Sequence, residues 1–376
     1  VGLKRKVLMT ASTYGHIRSF HLPYLREFQH LGWETHVGCA GIPPDAPYAD
    51  EAIGLPFEKK LRSPANYRAA KLLRERIASE GYDLVIAHTS LAAFFTRLAL
   101  KGGGPAATIS VCHGYLFDDD TPLLRRQVLL NAERLVAPQT DLLLTMNAWD
   151  FETAKKHRLA KQVRSIPGMG FDARRLDRAT PEDGARSRRE LGLSAQQFVL
   201  LCAAEFSARK SQHTLIEAMA KLPERAVLVL CGEGATLEDC RAMARGLDLG
   251  GRVRFPGHSD DMPAWYRMAD AAVTASRSEG LPFNVMEAMH CGLPVVASAV
   301  KGHTDLIADG ETGLLFPYGD ADACAAQLRR VMDDAPLRKT LGTRGRASVG
   351  RYALDAVLPE VMERYLSVVP KAEPNL

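Results

Sequence analysis

Short apolar, β-rich runs alternate with helical patterns along nearly the whole chain, in two successive series, and few architectures accommodate that arrangement. In the first series the strand-like runs fall at 7–10, 35–40, 84–87, 108–112, 142–146 and 163–166, with helical patterns at 91–101, 121–136 and 148–158. Runs this uniformly apolar read as strands buried on both faces, which calls for parallel sheets covered by helices. The series stops at Val163-Arg-Ser-Ile-Pro-Gly-Met-Gly170, and a charged stretch over 172–189 reads as a connection between domains. A second series follows, with strands at 198–203, 227–231, 253–255, 271–275, 295–297 and 313–316 and helices at 212–221, 237–245, 282–291 and 321–332. The expectation is α/β: two doubly wound, Rossmann-like domains facing across a cleft, residues 1–175 and 176–352. An amphipathic C-terminal helix within 353–376 is expected to pack back on the first domain. A length of 376 residues suits two domains. Ligands of such sheets bind beyond the carboxyl ends of the strands, so the site is expected there.

Composition removes several classes. Hydrophobic residues make up 46% and charged residues 24%, a globular balance, and no run approaches the roughly 18 apolar residues of a membrane span. No signal-peptide pattern is read at the start, where Val1-Gly-Leu-Lys-Arg-Lys-Val-Leu-Met-Thr10 is a basic lead into a first strand. The seven cysteines show no C-x-x-C spacing, and Cys39, Cys112, Cys202 and Cys231 fall in strand-like runs where a reduced thiol acts as a small hydrophobe. Neither a disulfide framework nor a zinc site is expected from them, and the expected compartment is the cytosol. The net charge of +4 is unevenly spread, at +7 over residues 1–175 and −3 over the remainder. The runs Lys59-Lys-Leu-Arg62 and Arg68, Lys71, Arg74 fit either an ordinary solvated face or peripheral contact with an anionic membrane at its inner face. The helical pattern over 20–31, with Phe20, Tyr24 and Phe28, fits a core helix or a membrane-interface one. No nucleic-acid motif is present, and the basic residues lack interleaved aromatics.

The chemistry concentrates in Ser278-Glu-Gly-Leu-Pro-Phe-Asn-Val-Met-Glu-Ala-Met-His-Cys-Gly-Leu-Pro-Val-Val-Ala297. Pro282 suits the first turn of a helix, and the amides of Phe283, Asn284 and Val285 would present the positive end of its dipole, an anion site. Glu279 precedes that helix and Glu287 lies about a turn and a half inside it, so two carboxylates flank the anion site at a separation on the order of 10 Å. An ionised carboxylate only accepts hydrogen bonds and suits a diol. Sugar, diphosphate and ribose, in that order, match the layout. Val285, Met286, Ala288 and Met289 make the helix apolar nearly all round, hence buried.

On these residues, and on the Ala288-Met-His-Cys-Gly-Leu-Pro-Val-Val-Ala-Ser298 that follows, the chain resembles the retaining family-4 glycosyltransferases of the GT-B fold. In the first half His16-Ile-Arg-Ser-Phe-His-Leu-Pro-Tyr24, Val111-Cys-His-Gly-Tyr-Leu-Phe117 and Thr140-Asp-Leu-Leu-Leu-Thr-Met-Asn147 resemble bacterial enzymes of capsule, exopolysaccharide and O-antigen assembly. The resemblance implies that Glu279 binds hydroxyls of a donor sugar and Glu287 those of the ribose. The backbone of Leu281, Pro282, Phe283 and Asn284 would hold the distal phosphate, and Gly257 and His258 would line the base pocket. Arg209 and Lys210 would neutralise the diphosphate as the glycosidic bond breaks. Many family members carry an Arg where this chain has Glu205, so Arg209 is expected to supply that charge. Gly15 would approach donor phosphate or acceptor, His16 the acceptor, and His113 the donor sugar near the reacting carbon.

The implied reaction moves a hexose or N-acetylhexosamine from a nucleotide diphosphate sugar, a UDP-sugar by expectation, to a glycan or polyprenyl-diphosphate-linked acceptor with retention. No cofactor is implied. The acids Asp118-Asp-Asp120 match a metal-binding D-x-D formally, but a solvated loop is the expectation and no catalytic metal is assigned. A nucleotide-sugar epimerase, a sugar-phosphate synthase and a non-catalytic nucleotide-binding protein remain open alternatives. A dinucleotide oxidoreductase is poorly supported, since no G-x-G-x-x-G follows the first strand.

Overall fold

The computed structural model describes residues 4–58, 60–102 and 107–370. Lys59 of the basic run, the first three residues of the basic lead and positions 371–376 of the C-terminal segment therefore lie outside the described residues. Among the described residues the chain divides into two compact units. One is built from the chain up to Gly170 together with the segment from Asp355 onward, the other from Phe171–Leu354.

The first unit carries a seven-stranded sheet: β1 Lys6–Thr13, β2 Glu34–Ala40, β3 Glu51–Gly54, β4 Leu84–His88, β5 Ala107–Cys112, β6 Leu142–Thr145 and β7 Gln162–Ser165. The strands lie in the order β3-β2-β1-β4-β5-β6-β7, every neighbouring pair parallel. The second unit carries a six-stranded sheet: β8 Phe198–Ala203, β9 Ala226–Cys231, β10 Val253–Gly257, β11 Ala271–Thr274, β12 Val295–Ser298 and β13 Leu314–Phe316. Its order is β10-β9-β8-β11-β12-β13, again all parallel. Every residue of β4 and β9 is buried, as two-sided coverage demands. Strand order reverses between β1 and β4 in the first sheet and between β8 and β11 in the second. Each unit thus has its own switch point, where a crevice opens beyond the carboxyl ends of the strands.

Several elements depart from the sequence expectation, each for a visible reason. The 20–31 pattern is interrupted at His21, between helices Tyr14–Phe20 and Leu22–His30. Pro23 lacks the N–H that would continue the helix and its ring opposes the carbonyl four residues back. Tyr24 and Phe28 are fully buried. Tyr24 packs edge-on to Tyr365 at 5.8 Å between ring centres, and Phe28 stacks on Tyr365 at 6.2 Å, so this helix offers neither ring to a membrane. Tyr365 belongs to the helix Leu354–Leu366, whose Val357 and Val361 are also fully buried. Strand β3 escaped the sequence reading because it is four residues long, at the sheet edge and half-exposed, with a carboxylate at its head.

The charged 172–189 stretch is a structured part of the second unit rather than an open connection. It forms helices Ala173–Asp177 and Pro181–Glu190. Thr180 and Asp183 form a reciprocal capping box, with Asp183 N–H donating to Thr180 Oγ1 at 3.3 Å and Thr180 N–H to Asp183 Oδ2 at 2.9 Å. The second of these helices buries only Gly184 and Ser187, a face too small to register as hydrophobic in an arginine-rich sequence. Helices Met262–Met268 and Ala335–Val349 were likewise not anticipated.

The second of these meets the loop after the Phe283–His290 helix at very close range. A Cβ on Gly342 would stand 2.1 Å from the carbonyl oxygen of Gly292. Gly342→Ala should therefore destabilise the second unit by about 1–3 kcal/mol, the usual cost of overpacking, and lower its thermal transition by several degrees. Gly350→Ala, where nothing lies within 4 Å, should leave the transition unchanged. Equal melting curves for both variants would refute the contact.

Candidate functional site

At the switch point of the second unit, the turn after β8 and the loop after β11 bring three charged side chains together. The first turn is shaped by Ser211, held at φ 50°, whose hydroxyl donates to Ala208 O at 3.1 Å and meets Tyr318 OH at 3.1 Å. Arg277 N–H donates to Arg209 O at 2.8 Å and ties the turn to the loop after β11. In that loop Glu279 N–H donates to Lys301 O at 3.3 Å. Gly302 sits against it at φ 84°, where a Cβ would fall 2.8 Å from Glu279 Cβ and 2.9 Å from two carbonyl oxygens, so only glycine fits.

Glu279 is 8% exposed and doubly ion-paired. Lys210 Nζ donates to Oε1 at 2.6 Å and Arg209 Nη1 to Oε2 at 2.9 Å; Arg209 Nη1 also donates to Ser278 O at 2.9 Å. Burial pushes the Glu279 carboxyl up, but Lys210, Arg209 and His303 outweigh it and hold the group down at about 2. Two cations against one carboxylate leave a net positive charge beside the Phe283–His290 helix, whose dipole adds to it. His303 is fully buried. Its Nδ1 donates to Ser298 O at 2.8 Å and its Nε2 has no partner among the described residues.

The helix itself spans Phe283–His290 with Pro282 as its cap residue rather than its first turn, and Val285, Met286, Ala288 and Met289 are buried. Leu281 and Pro282 are buried as well, so their side chains face the interior and backbone is what they can offer a ligand. Asn284 Nδ2 donates to Ala203 O at 3.0 Å, fastening the first helical turn to the end of β8. Glu287 is half-buried and accepts a 2.9 Å hydrogen bond from Tyr266 OH; burial raises its carboxyl above the ordinary range. Gly257 ends β10 at φ 85°, its carbonyl accepting from Gly232 N–H at 2.8 Å. His258, next to it, is exposed and lies 3.4 Å from Asp260.

The first unit assembles a different group at its own switch point. His88 ends β4, His113 follows β5, and His16 and His21 come from the Tyr14–Phe20 helix and the residue after it. His21 and His88 are fully buried and stack at 3.7 Å between ring centres. His16 meets His113 edge-on at 4.7 Å, and His88 Nδ1 lies 3.2 Å from His113 Nε2. Burial holds His16 at about 4 and the other three well below the ordinary imidazole range, so all four rings are neutral near pH 7. Beside His88, Thr89 adopts φ 62°, a strained value for a β-branched residue, and its Oγ1 accepts from Ser12 N–H at 3.0 Å. Gly15 lies in the exposed first turn of the Tyr14–Phe20 helix rather than in a loop, with room for a side chain. In the acidic loop, Asp118 accepts from Thr121 Oγ1 at 2.7 Å and Asp119 accepts from Trp149 Nε1 at 2.7 Å and pairs with Arg126 at 2.9 Å.

Two family models match the chain, Glycosyltransferase Family 4 over residues 24–169 and Glycosyl transferases group 1 over residues 183–348. EpsD of Bacillus subtilis (strain 168), named as a glycosyltransferase, is 31% identical over 96% of this chain and 97% of its own. The chain belongs to the family-4 glycosyltransferases. A UDP-Gal:alpha-D-GlcNAc-diphosphoundecaprenol alpha-1,3-galactosyltransferase of Escherichia coli is 24% identical over 83% of this chain and 84% of its own. Among solved structures, Anabaena HepE in complex with UDP and glucose superposes with a TM-score of 0.79 at 20% identity, over 96% of this chain and 100% of that one. The glycosyltransferase thus has the GT-B fold, two Rossmann-like domains of parallel sheet.

For this glycosyltransferase the sequence singled out Arg209, Lys210 and Glu279 separately, and the structure joins them. It likewise joins His16 and His113, and adds His21 and His88. Tyr266 and His303 were not anticipated either; a histidine after the tight glycine at 302 was the available signal. One consequence is measurable. The folded Glu279 carboxyl titrates lower than in the unfolded chain, so its stabilisation is complete above about pH 4.5 and is lost as pH falls through about 2. The advantage of the wild type over Glu279→Gln in urea unfolding should shrink by on the order of 1–3 kcal/mol between pH 5 and pH 2. A difference independent of pH would show that the ion pairs do not set the carboxyl.

Proposed function

We propose that the enzyme transfers a hexosyl or N-acetylhexosaminyl unit from a UDP-sugar to a glycan or polyprenyl-diphosphate-linked acceptor, with retention, in bacterial surface polysaccharide synthesis. The observation that carries this reading is the Glu279–Lys210–Arg209 cluster beside the Phe283–His290 helix. An anionic diphosphate would find net positive charge there, and a sugar next to it would find a carboxylate kept ionised to accept its hydroxyls. Glu287 would accept from the ribose hydroxyls, as it accepts from Tyr266 OH. Gly257 and His258 would border the base, and Gly15, His16 and His113 belong to the acceptor and sugar side. Support for the donor class comes from the bound UDP and glucose of Anabaena HepE, and for the acceptor class from the name of the Escherichia coli relative.

In this reading the bond from the anomeric carbon to the diphosphate breaks as the bond to the acceptor oxygen forms on the same face, and the departing phosphate oxygen takes the acceptor proton. Both motif glutamates are occupied with hydroxyls, which leaves neither as a nucleophile. Arg209 and Lys210 carry the charge that grows on the leaving group, without a metal ion. Glu279→Gln should lower transfer at least 100-fold while UDP binding changes only a few-fold, and near-normal turnover would refute the role given to Glu279. A thermal-shift screen of UDP-, GDP- and ADP-sugars tests the donor, since a bound donor stabilises by mass action. Incubating the preferred donor without acceptor separates transfer from epimerisation; an epimer product would favour the latter.

We further propose that the first unit docks on anionic lipid. No helix among the described residues is long and apolar enough to cross a membrane. Leu123 and Leu124 are 82% and 81% exposed at the start of the Leu123–Val136 helix, next to the exposed Arg125 and to Arg126, which pairs with Asp119, and Tyr67 and Leu72 are exposed beside Arg68 and Lys71. Apolar side chains among cations suit an interface with acidic headgroups. Sedimentation with anionic vesicles should carry the enzyme down at low salt, less at high salt, and several-fold less after Leu123→Ser with Leu124→Ser. Failure to sediment at low salt would remove this docking surface.

A further inference from the structure

We propose that His16, His21 and His113 form a binding site for a divalent transition-metal ion of the zinc class, with His88 as the ring that orients His113. One nitrogen from each of the three lies within 4.8 Å of the others. Around a tetrahedral ion with metal–nitrogen bonds near 2.1 Å those nitrogens would stand about 3.4 Å apart, a distance that small ring rotations reach. A metal takes a lone pair from each imidazole, and three rings at one place can each offer one.

The decisive observation is at His21. It is fully buried, yet neither of its ring nitrogens has a hydrogen-bond partner among the described residues, and Nε2 of His16 and of His88 share that condition. Buried polar groups are paired in nearly all proteins, because an unpaired one costs about 1–3 kcal/mol. Four rings from three chain segments, converging with four of their nitrogens unpartnered among the described residues, mark a place where something with electron-pair-accepting capacity belongs. Water could serve one nitrogen, but a cation serves three at once. His16 and His113 are half-buried, which gives an ion a way in. With His113 Nε2–H donating to His88 Nδ1 at 3.2 Å, His113 Nδ1 keeps its lone pair for an ion, and this is the outer contact that typically fixes a ligating ring.

The other histidine–carboxylate grouping of this unit, His36 with Glu51 and Glu80, makes an instructive contrast. There Tyr82 OH and Glu34 occupy the two ring nitrogens at 2.7 and 2.8 Å, Lys6 pairs with Glu80 at 2.8 Å, and Arg76 pairs with Glu51. That grouping already satisfies itself. An all-nitrogen set of three favours zinc, cobalt, nickel or copper over magnesium or calcium.

The site lies on the first unit, apart from the diphosphate-binding role given to Arg209 and Lys210; an ion there would stand in for the direct contacts of His16 and His113 with acceptor and sugar, and its binding is measured without the transfer reaction. The test uses the full chain stripped by a chelator and titrated with Co2+ as a spectroscopic probe and with Zn2+ by calorimetry. One equivalent should bind, with the intense visible absorption of four-coordinate cobalt. His16→Ala and His113→Ala should each weaken Co2+ at least 10-fold and His88→Ala about 10-fold, while His213→Ala, on an exposed helix position of the second unit, changes nothing. His21→Ala is the deepest substitution, so if it fails to fold the half-buried His16 and His113 variants decide the question. Absence of the cobalt spectrum, or binding indifferent to His16 and His113, would overturn the proposal. UDP-sugar thermal shifts on the stripped protein report on the donor site separately.

Discussion

A carboxylate buried to the extent of Glu279 is tolerable only if cations accompany it, and that requirement organises the second unit around its switch point. Lys210 and Arg209 must come from the turn after β8, so Ser211 accepts a left-handed conformation and the backbone of that turn is tied to Arg277. Position 302 must be glycine for the following loop to close over Glu279. A buried ion pair contributes little net stability relative to apolar packing, because desolvation offsets attraction. What it provides is a charge distribution fixed before any substrate arrives, the form of electrostatic preorganisation on which transfer chemistry draws most.

Much of this architecture was legible in the sequence. Both parallel sheets appear as apolar runs because two-sided burial leaves no alternation to hide them, and β4 and β9 are the clearest cases. The helix carrying Glu287 was readable from its apolar surroundings. What was not legible follows a common cause. Glu279 lies 69 and 70 positions from its cations, and the four imidazoles come from segments joined only by topology. Residue patterns report periodicity over a turn or two; they do not report which loops share a switch point until strand order is known. The 172–189 stretch failed for another reason, since helices that bury a glycine and a serine carry no hydrophobic signature even when a capping box announces them.

The two units solve the same topological problem with opposite chemistry. In the second, fixed charges meet at the reversal of strand order. In the first, neutral rings meet there, with four of their nitrogens unpartnered among the described residues. A doubly wound sheet prescribes where side chains converge and leaves open which ones do, and here one chain uses the convergence twice.

The first unit is discontinuous: it needs the helix that follows the second unit to cover Tyr24 and Phe28 with Tyr365. During synthesis the ribosome delivers residues 171–354 before that helix exists. The later-encoded unit, contiguous in the chain, is therefore free to mature first, while the earlier one waits with two aromatic rings bare. A chain halted before residue 355 would keep those rings uncovered, whatever the state of the second unit.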